Sequence, residues 1–382
     1  MANNNYYDVI VIGGGIIGTS TAYFLSKQGV KVILLEQNQL CSMSSGANQA
    51  GITLSRSITP FIELSNLSKS LYIELNNNLD TDYEFERIDY LLCSINKEDD
   101  NKLKNTYSEL INNNSKCTYL DRNILNSSNY KLGDSVRNAI LINDGIYIIW
   151  PFKFVQALAN SAIYYGAKIL NYTKVKKINL NNNSINSVTT NVGEFITSCV
   201  VNAAGIFSNN ISNMVGINIP IIPIKGEVIV TEATKIHNCR YIMDIDYLKN
   251  EKMQDKSNKF STTLMQHKNG NWTIGTSREN CGYINSNSYE AMSVIAKRAV
   301  NILPFLKNKY FLRSYTGLRP YCSYDGKPII GNSEVVKGFY LATGHDGSGI
   351  KFGPATGKLI ANEIISGKVP DITIPFRYSR LL

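Results

Sequence analysis

The chain of 382 residues lacks several features that mark common protein classes. It contains no uninterrupted run of about 18 apolar residues, so we expect no membrane-spanning helix. Its first residues, Met1 to Tyr7, lack the basic start and apolar run of a secretory signal. Charged residues make up only 18% of the chain, below the roughly 25% of an average protein. The 13 Phe and 23 Tyr nevertheless predict a folded chain rather than a disordered one.

The seven cysteines are odd in number and widely spaced, and no Cys-x-x-Cys pair or Cys/His cluster occurs. This spacing argues against a disulfide framework and against a structural metal site, so we expect no metal. A reducing cytoplasm is the expected location. A peripheral association with a membrane stays open as an alternative.

The net charge of +9 leaves three classes of partner open, namely nucleic acid, an anionic surface and acidic small ligands. The lysines and arginines form no stripe with interleaved aromatic residues. We therefore expect no nucleic-acid partner.

The first forty residues predict a βαβ unit. The apolar run Asp8–Ile12 is typical of a buried parallel strand, and Ile16–Gln28 has helical spacing. Between them lies the pattern Gly13-x-Gly15-x-x-Gly18, where a dinucleotide-binding turn is required. Glu36 ends the next strand, at about the 20-residue distance where an acid accepts hydrogen bonds from an adenosine ribose. This part of the chain therefore predicts a dinucleotide site.

The remainder predicts alternating and antiparallel elements without an internal repeat or a flexible linker, so we expect interleaved domains. Helices are predicted over Phe61–Leu79, Pro151–Gly166, Tyr289–Leu303 and Pro354–Ser366, and strands over Glu84–Ile95, Asp144–Trp150, Ala167–Leu180, Cys199–Gly205, Ile219–Val230, Leu264–Ser277, Phe311–Tyr321 and Phe339–Ala342. An NAD dehydrogenase would continue the βα alternation to complete its sheet, and this chain departs from it after Glu36. The departure favours FAD.

Four blocks resemble the D-amino-acid oxidase-like (DAO) family of FAD-dependent oxidoreductases, over nearly the whole chain. They are 8–18 with Glu36, Ser44-Ser45-Gly46, 200–205, and the set 317–320, 325–331, 342–345 and 349–354. Within the family, the likeness is greatest to the glycine and sarcosine oxidases. The likeness to the flavoprotein subunits of hydrogen cyanide synthase and of opine and proline dehydrogenases is equally strong. Each block alone is modestly specific, and together they are highly specific.

The resemblance implies an α/β fold in which a Rossmann-like FAD-binding domain carries an interleaved antiparallel-sheet substrate domain, as in p-hydroxybenzoate hydroxylase. The expected FAD-binding domain comprises residues 1–80, 145–218 and 325–382. The expected substrate domain, an α+β cap, comprises residues 81–144 and 219–324.

The motif and the resemblance together assign residues to FAD. These are Gly13, Gly15, Ile16, Ile17, Gly18, Glu36, Gln37, Ser44, Ser45, Gly46, Val175, Ala203, Ala204, Gly205, Gly344, Asp346, Gly347, Ser348, Gly349, Ile350 and Lys351. Members that attach FAD covalently use a Cys several residues before the Asp matched by Asp325. Here Cys322 lies only three residues before it, so we expect non-covalent FAD.

Three residues are candidates for the chemistry. Arg319 matches an Arg that forks the substrate carboxylate in the glycine-oxidase-like members, which suits its planar donors. Lys351 matches a carboxylate-binding Lys of the sarcosine-oxidase-like members. His345, in Thr343-Gly-His345, is expected near the flavin, with a structural role favoured over acid–base work. Arg56 is a weaker candidate for a second carboxylate ligand.

The resemblance implies oxidation of the C–N bond of a small carboxylate-bearing amine to an imine, by hydride transfer to FAD. Candidate substrates are glycine, sarcosine, proline-like acids, D-amino acids and opines. Oxidases of the sarcosine type carry a Lys just before the pair matched by Ile274-Gly275, and Thr273 stands there instead, which favours a dehydrogenase.

Two alternatives remain open. The first is a 2-hydroxyacid or glycerol-3-phosphate dehydrogenase, which oxidises a C–O bond. The second is a flavoprotein subunit of a multi-subunit electron-transfer dehydrogenase, with an iron–sulfur or second flavoprotein partner. Because the cysteines show no iron–sulfur spacing, a partner would have to supply any cluster.

Overall fold

A computed structural model describes residues 5–53, 59–250 and 259–382 of the chain. The strands in these ranges are β1 Val9–Ile12, β2 Val32–Leu35, β3 Gly51–Ile52, β4 Glu86–Ser94, β5 Cys117–Leu120, β6 Asn138–Ile148, β7 Lys168–Leu170, β8 Val175–Asn181, β9 Ser184–Thr190, β10 Glu194–Ile196, β11 Val200–Asn202, β12 Ile221–Ala233, β13 Tyr241–Asp244, β14 Lys259–Gln266, β15 Asn271–Arg278, β16 Phe311–Cys322, β17 Ile329–Asn332 and β18 Phe339–Thr343. The helices are α1 Ile16–Ser26, α2 Ile62–Asn78, α3 Lys97–Asn112, α4 Arg122–Ser127, α5 Pro151–Tyr164, α6 Ser208–Asn213, α7 Asp246–Asn250, α8 Tyr289–Ile302 and α9 Gly349–Ser366.

One sheet has the strand order β17-β18-β11-β1-β2-β7 and is parallel except for the pair of β17 with β18. Strands β1 and β2 are apolar at every position because both faces of the sheet are covered. Val9 and Val11 pack with α1, α5 and α9, whereas Ile10 and Ile12 pack with the three-stranded sheet β8–β10. This arrangement is Rossmann-like, and it places the β1–α1 turn at the carboxyl end of the central strands.

The second sheet has the order β16-β12-β15-β14-β13-β4-β6-β3, with β5 paired to β6. Its neighbouring strands are antiparallel except for β4 and β13. Helix α8 packs on this sheet through Ile295 and Ile302, which share an apolar cluster with Trp272. Strands β12 and β16 contribute to a cavity that also borders the β1–α1 turn, so the two sheets meet at this cavity.

The chain passes repeatedly between the two sheets. Strand β3 lies in the second sheet although its residues fall within 1–80, and β6 crosses the expected boundary at 144/145. The division into two discontinuous domains stays a prediction.

Two ranges predicted as single strands are each divided. Leu264–Ser277 covers the end of β14 and most of β15, which form a hairpin around Asn269-Gly270, where Gly270 has a φ of +89°. Asn-Gly is a strong hairpin turn signal, and the apolar pattern on either side obscured it. Ala167–Leu180 contains β7 and β8, which belong to different sheets.

Helix α9 begins at Gly349, five residues before the predicted start at Pro354. A proline inside a helix removes one hydrogen bond, here the bond to the carbonyl of Ile350. The hydroxyl of Tyr72 in α2 donates to that carbonyl at 2.5 Å. The helix therefore continues through the proline, and residues 349–353, expected in a turn, form its first turn.

Among the described residues, no helix combines the length and the apolar composition that crossing a membrane requires.

Candidate functional site

A cavity of about 480 Å³ lies between the β1–α1 turn and strands β12 and β16. All described residues that the sequence assigned to the cofactor or to chemistry line it, except Gly18, Gly46, Gly344 and Ser348. Gly18 and Gly46 shape the turns behind the wall, because an added Cβ would collide with the carbonyl oxygens of Gly13 and Cys41 respectively. The predicted set is therefore brought together around one space.

The phosphate end of the cavity, defined here as Gly13–Gly18 with Glu36 and Ser45, is built largely from backbone. Gly13 has a φ of +111°, and a side chain there would collide with the carbonyl of Ala203 at the end of β11. The N–H of Ile16, at the start of α1, donates to Ser45 Oγ at 3.0 Å. Amides at a helix start favour negative charge, so this end suits a pyrophosphate.

The Glu36 carboxylate is held by two backbone groups at the end of β2. The N–H of Gly14 donates to it at 2.6 Å, and the N–H of Asn38 donates at 2.8 Å. A carboxylate offers about four acceptor positions, so two remain for other donors such as ribose hydroxyls. Gln37 and Val175 also line the cavity.

The serine-rich loop after β2, residues 40–50, joins the phosphate end to strand β16. Ser44 Oγ donates to the carbonyl of Leu318, and the hydroxyl of Tyr315 donates to the carbonyl of Asn48 at 3.0 Å. Asn48 Nδ2 donates to the carbonyl of Ser45 at 2.6 Å. The loop therefore carries one wall of the cavity from the first sheet to the second.

At the other side lies the cap end, defined here as Arg278, Arg319 and the turn 344–349. The Arg319 guanidinium lies over Gly226, where any side chain would collide with it. Its Nη1 donates to the carbonyls of Ser277 at 3.0 Å and Lys225 at 3.3 Å, and its Nη2 donates to Thr276 Oγ1 at 2.7 Å. These partners are uncharged oxygens.

The charge of Arg319 lacks a direct counter-charge, since no carboxylate of the described ranges forms an ion pair with it. Burial lowers the pKa of the guanidinium, the charge of Arg278 lowers it further, and Asp346 and Glu279 act in the opposite direction. Arginine remains charged in proteins despite such a shift. A half-buried guanidinium with neutral partners is suited to bind an anionic group that enters the cavity.

Arg278 was not expected from the sequence. Its Nη1 donates to Asp346 Oδ2 at 2.9 Å and its Nη2 donates to Asp346 Oδ1 at 3.2 Å. Its guanidinium carbon lies 5.7 Å from the ring centroid of Tyr321. The pair joins strand β15 to the turn 344–349.

His345 is 4% exposed, and its Nε2 lies 2.9 Å from Thr356 Oγ1 in α9. Burial lowers the pKa of His345 to about 3, so its ring is neutral near pH 7. This environment favours a structural role. Lys351 lies in the first turn of α9 and lines the cavity, with its Nζ 5.0 Å from the ring centroid of Phe352.

Several further lining residues were missed, among them Gln49, Tyr241 and Tyr247. Gln49 Nε2 donates to the carbonyls of Thr273 at 3.0 Å and Thr263 at 3.1 Å. Gln49 belongs to the serine-rich loop, and only the position of that loop pointed to it. No motif accompanies the two tyrosines. Arg56 lies outside the described residues.

The cavity fits FAD. The phosphate end supplies helix amides, and the turn 344–349 exposes backbone at Gly347 and Gly349, where an added Cβ would have its nearest neighbours at 3.8 and 3.9 Å. The sequence profile of the DAO family, described as FAD dependent oxidoreductase, matches residues 8–363. The chain belongs to this family. It is therefore an FAD-dependent oxidoreductase, as expected.

The cofactor of this DAO-family chain is FAD, held non-covalently. Cys322 is buried and does not line the cavity, and burial raises the pKa of its thiol. A buried thiol of this kind is poorly suited to attach a flavin.

Known proteins agree with this family over the full chain. Hydrogen cyanide synthase subunit HcnC from Pseudomonas aeruginosa is 25% identical over 423 residues, covering 99% of this chain and 97% of that protein. Glycine oxidase from Bacillus subtilis is 25% identical over 383 residues, covering 95% and 94%. The crystal structure of L-proline dehydrogenase from P. horikoshii superposes with a TM-score of 0.85 at 26% identity, covering 98% of each chain. The predicted fold class is confirmed.

Proposed function

We propose that this chain oxidises the C–N bond of a small amino acid or secondary amine bearing a carboxylate, and produces an imine. The observation that carries the proposal is the Arg319 guanidinium on the cavity wall, whose hydrogen bonds go to uncharged oxygens. Such a cation favours a carboxylate ligand. Two similar proteins are named for their action on glycine and on L-proline, which supports a small amino acid as substrate.

Two cationic side chains that line the cavity have a part in this reaction. Arg319 binds the substrate carboxylate and thereby fixes the orientation of the neighbouring C–H bond. Lys351 adds a second positive charge from the first turn of α9. FAD, when bound, supplies the acceptor for the hydride that leaves the substrate carbon. The nitrogen lone pair of the substrate forms the C=N bond of an iminium ion as that hydride leaves, and loss of the N–H proton to water gives the imine.

The substrate amine has to arrive without its extra proton. Of the described groups at the cap end, His345 contacts Thr356 and has its pKa lowered to about 3. Both oxygens of Asp346 accept from Arg278. Neither group is suited to remove a proton from an ammonium, so kcat/KM should rise with pH until the substrate amine is neutral.

We further propose that the enzyme is a dehydrogenase rather than an oxidase. Thr273 stands where sarcosine-type oxidases carry a Lys, and its Oγ1 lies 3.3 Å from His267 Nε2. Burial lowers the pKa of His267, so this neighbour adds no positive charge at neutral pH. Stopped-flow reoxidation of the reduced enzyme in air should be slower than turnover with an artificial acceptor. Reoxidation that keeps pace with turnover would contradict this preference.

Anaerobic bleaching of the flavin absorbance at about 450 nm tests the substrate class directly. The panel should pair glycine, sarcosine, proline, D-amino acids and an opine with the matching 2-hydroxyacids and glycerol 3-phosphate. We expect an amine to bleach the flavin and its hydroxy counterpart to leave it oxidised. If only the hydroxy compounds bleach the flavin, the proposal of C–N oxidation is wrong and the enzyme oxidises a C–O bond instead.

A second candidate is a flavoprotein subunit within a larger complex, because the similar HcnC is named as a subunit. In the ranges that the structure describes, no group of three or more His, Cys, Asp or Glu could hold a metal ion. An iron–sulfur cluster would therefore belong to a partner. Co-purification of a small cysteine-rich protein at fixed stoichiometry, together with no bleaching by any acid, would favour this candidate.

We also propose a cytoplasmic location. All seven cysteines are free, including the partly exposed Cys117 and Cys281. Free cysteines persist in a reducing compartment. Cell fractionation with thiol labelling would test the location and would show whether any of the chain stays with membranes.

A further inference from the structure

We infer that the ion pair between Arg278 and Asp346 positions the turn 344–349, and so controls both the affinity for FAD and the reduction potential of the bound flavin. The inference concerns cofactor binding and does not depend on which substrate the enzyme oxidises.

The pair has the geometry of a strong contact. The two nitrogens of the Arg278 fork donate to the two oxygens of Asp346 at 2.9 and 3.2 Å. The side chains are 8% and 17% exposed, so water competes little for these bonds. The ring of Tyr321 lies against the guanidinium and limits its movement.

The backbone at Asp346 needs such support. Its φ is +49°, in the left-handed region that residues with a side chain seldom adopt. Gly347 and Gly349 follow it, and both line the cavity where α9 begins. Two bonds from Arg278 hold Asp346 in this conformation, and thereby fix the direction of the backbone that faces the cavity.

The same pair links the turn to the carboxylate-binding side of the cavity. Arg278 follows Thr276 and Ser277, which accept hydrogen bonds from Arg319. An added Cβ at Gly347 would lie 3.8 Å from Cδ and Nε of Arg319, so the turn and Arg319 are close neighbours. Segment 276–278 thus contacts both features. Oxygens of Thr276 and Ser277 accept from Arg319, and the guanidinium of Arg278 binds the turn through Asp346.

The two partners carry opposite charges, and this gives the inference a signed test. Arg278→Met leaves the Asp346 carboxylate uncompensated beside the cavity, which disfavours the additional negative charge of a reduced flavin. Asp346→Asn leaves the Arg278 cation uncompensated and favours that charge. We expect the first variant to lower the flavin midpoint potential and the second to raise it.

Both variants should also weaken FAD binding, because each loses the contact that fixes the turn. Apoprotein prepared from the purified holoenzyme would be titrated with FAD, following flavin fluorescence. We expect the FAD dissociation constant to rise at least tenfold in each single variant, and the double variant Arg278→Met/Asp346→Asn to be little weaker than either. Arg278→Lys should recover most of the native potential because it keeps the charge.

Arg380→Met is the matched control. Arg380 forms a two-bond pair with Asp325 at the same distances of 2.9 and 3.2 Å, with side chains 15% and 17% exposed, and neither residue lines the cavity. Arg380→Met should lower the melting temperature of the apoprotein. The FAD dissociation constant should change less than twofold, and the flavin midpoint potential should stay native.

Three results would overturn the inference. They are an FAD dissociation constant within twofold of native in Asp346→Asn, potential shifts of the same sign in the two single variants, and additive losses of affinity in the double variant. Asp346→Asn is nearly isosteric and serves as the deciding variant if Arg278→Met fails to fold. If no amine of the substrate panel bleaches the flavin of a protein whose FAD affinity and midpoint potential are native, that result would instead count against the proposed function.

Discussion

The two ends of the cavity are built in different ways. The phosphate end uses backbone from neighbouring segments, since Gly13–Gly18 and Glu36 fall within one βαβ unit. The cap end uses long cationic side chains from separate strands, such as Arg278 and Arg319, held by partners far away in the chain. The difference teaches that the phosphate end is encoded locally, whereas the cap end depends on how the second sheet meets the first.

The largest expected effect tests the backbone nature of the phosphate end. In Gly18→Ala the added Cβ would collide with the carbonyl of Gly13, so the turn has to open. We expect purified Gly18→Ala to retain essentially no FAD, measured as the ratio of absorbance at 450 and 280 nm.

Gly29→Ala is the control for this substitution. Gly29 has a positive φ of +81° but no atom within 4 Å of an added Cβ, so it carries the backbone strain of alanine without a collision. It should lose about 1 kcal/mol of stability and keep its flavin. Full flavin content in Gly18→Ala would contradict the conclusion that the backbone of the β1–α1 turn binds FAD.

The next effect tests the cap end. Arg319→Ala should lower kcat/KM, at a cost of about 2–5 kcal/mol in transition-state stabilisation, because the substrate carboxylate loses a desolvated partner. Flavin content should be unchanged, in contrast to Gly18→Ala. Arg313→Ala, on an exposed position of the same strand, should leave kcat/KM native. A loss below about 1 kcal/mol would remove Arg319 from the substrate site.

A smaller effect tests whether the cap end extends onto α9. Lys351→Met should raise KM with a cost of about 1–2 kcal/mol, and should change kcat little, because a second charge near the carboxylate contributes to binding. Lys358→Met on the same helix is the control, since that side chain lies over the ring of Phe24 outside the cavity. An unchanged KM in Lys351→Met would confine carboxylate binding to the second sheet.

The smallest effect concerns His345, a buried neutral ring in the turn of the cap end. Its pKa is about 3 when folded and about 6.5 when unfolded, so the unfolded chain takes up a proton below about pH 6.5 and the folded chain does not. Stability therefore falls as pH decreases, by about 1 kcal/mol between pH 6 and 5.

His345→Gln should remove this part of the pH dependence, measured by urea unfolding at both pH values. Above pH 7 the two proteins should show the same dependence on pH. Identical slopes between pH 6 and 5 would mean that the ring titrates near its usual pKa in the folded protein.

The same contrast explains what could be predicted from the sequence. The βαβ unit, its glycines and Glu36 follow from local pattern and turn chemistry, and the structure brings them together as expected. The Arg278–Asp346 pair joins residues 68 positions apart, and no local signal marks Arg278. The start of α9 was misplaced because proline is preferred at the first helical position, whereas Pro354 lies inside this helix and Tyr72 supplies a donor to the carbonyl that the proline frees.

The bond between Tyr72 and Ile350 has a consequence for how this sequence can change over evolutionary time. It replaces a hydrogen bond that Pro354 removes, across 278 positions of the chain. A change of Tyr72 to Phe alone leaves a buried carbonyl without its donor, and a change of Pro354 alone makes the hydroxyl redundant. The two positions are therefore expected to substitute together, and a chain with phenylalanine at 72 should carry a residue other than proline at 354.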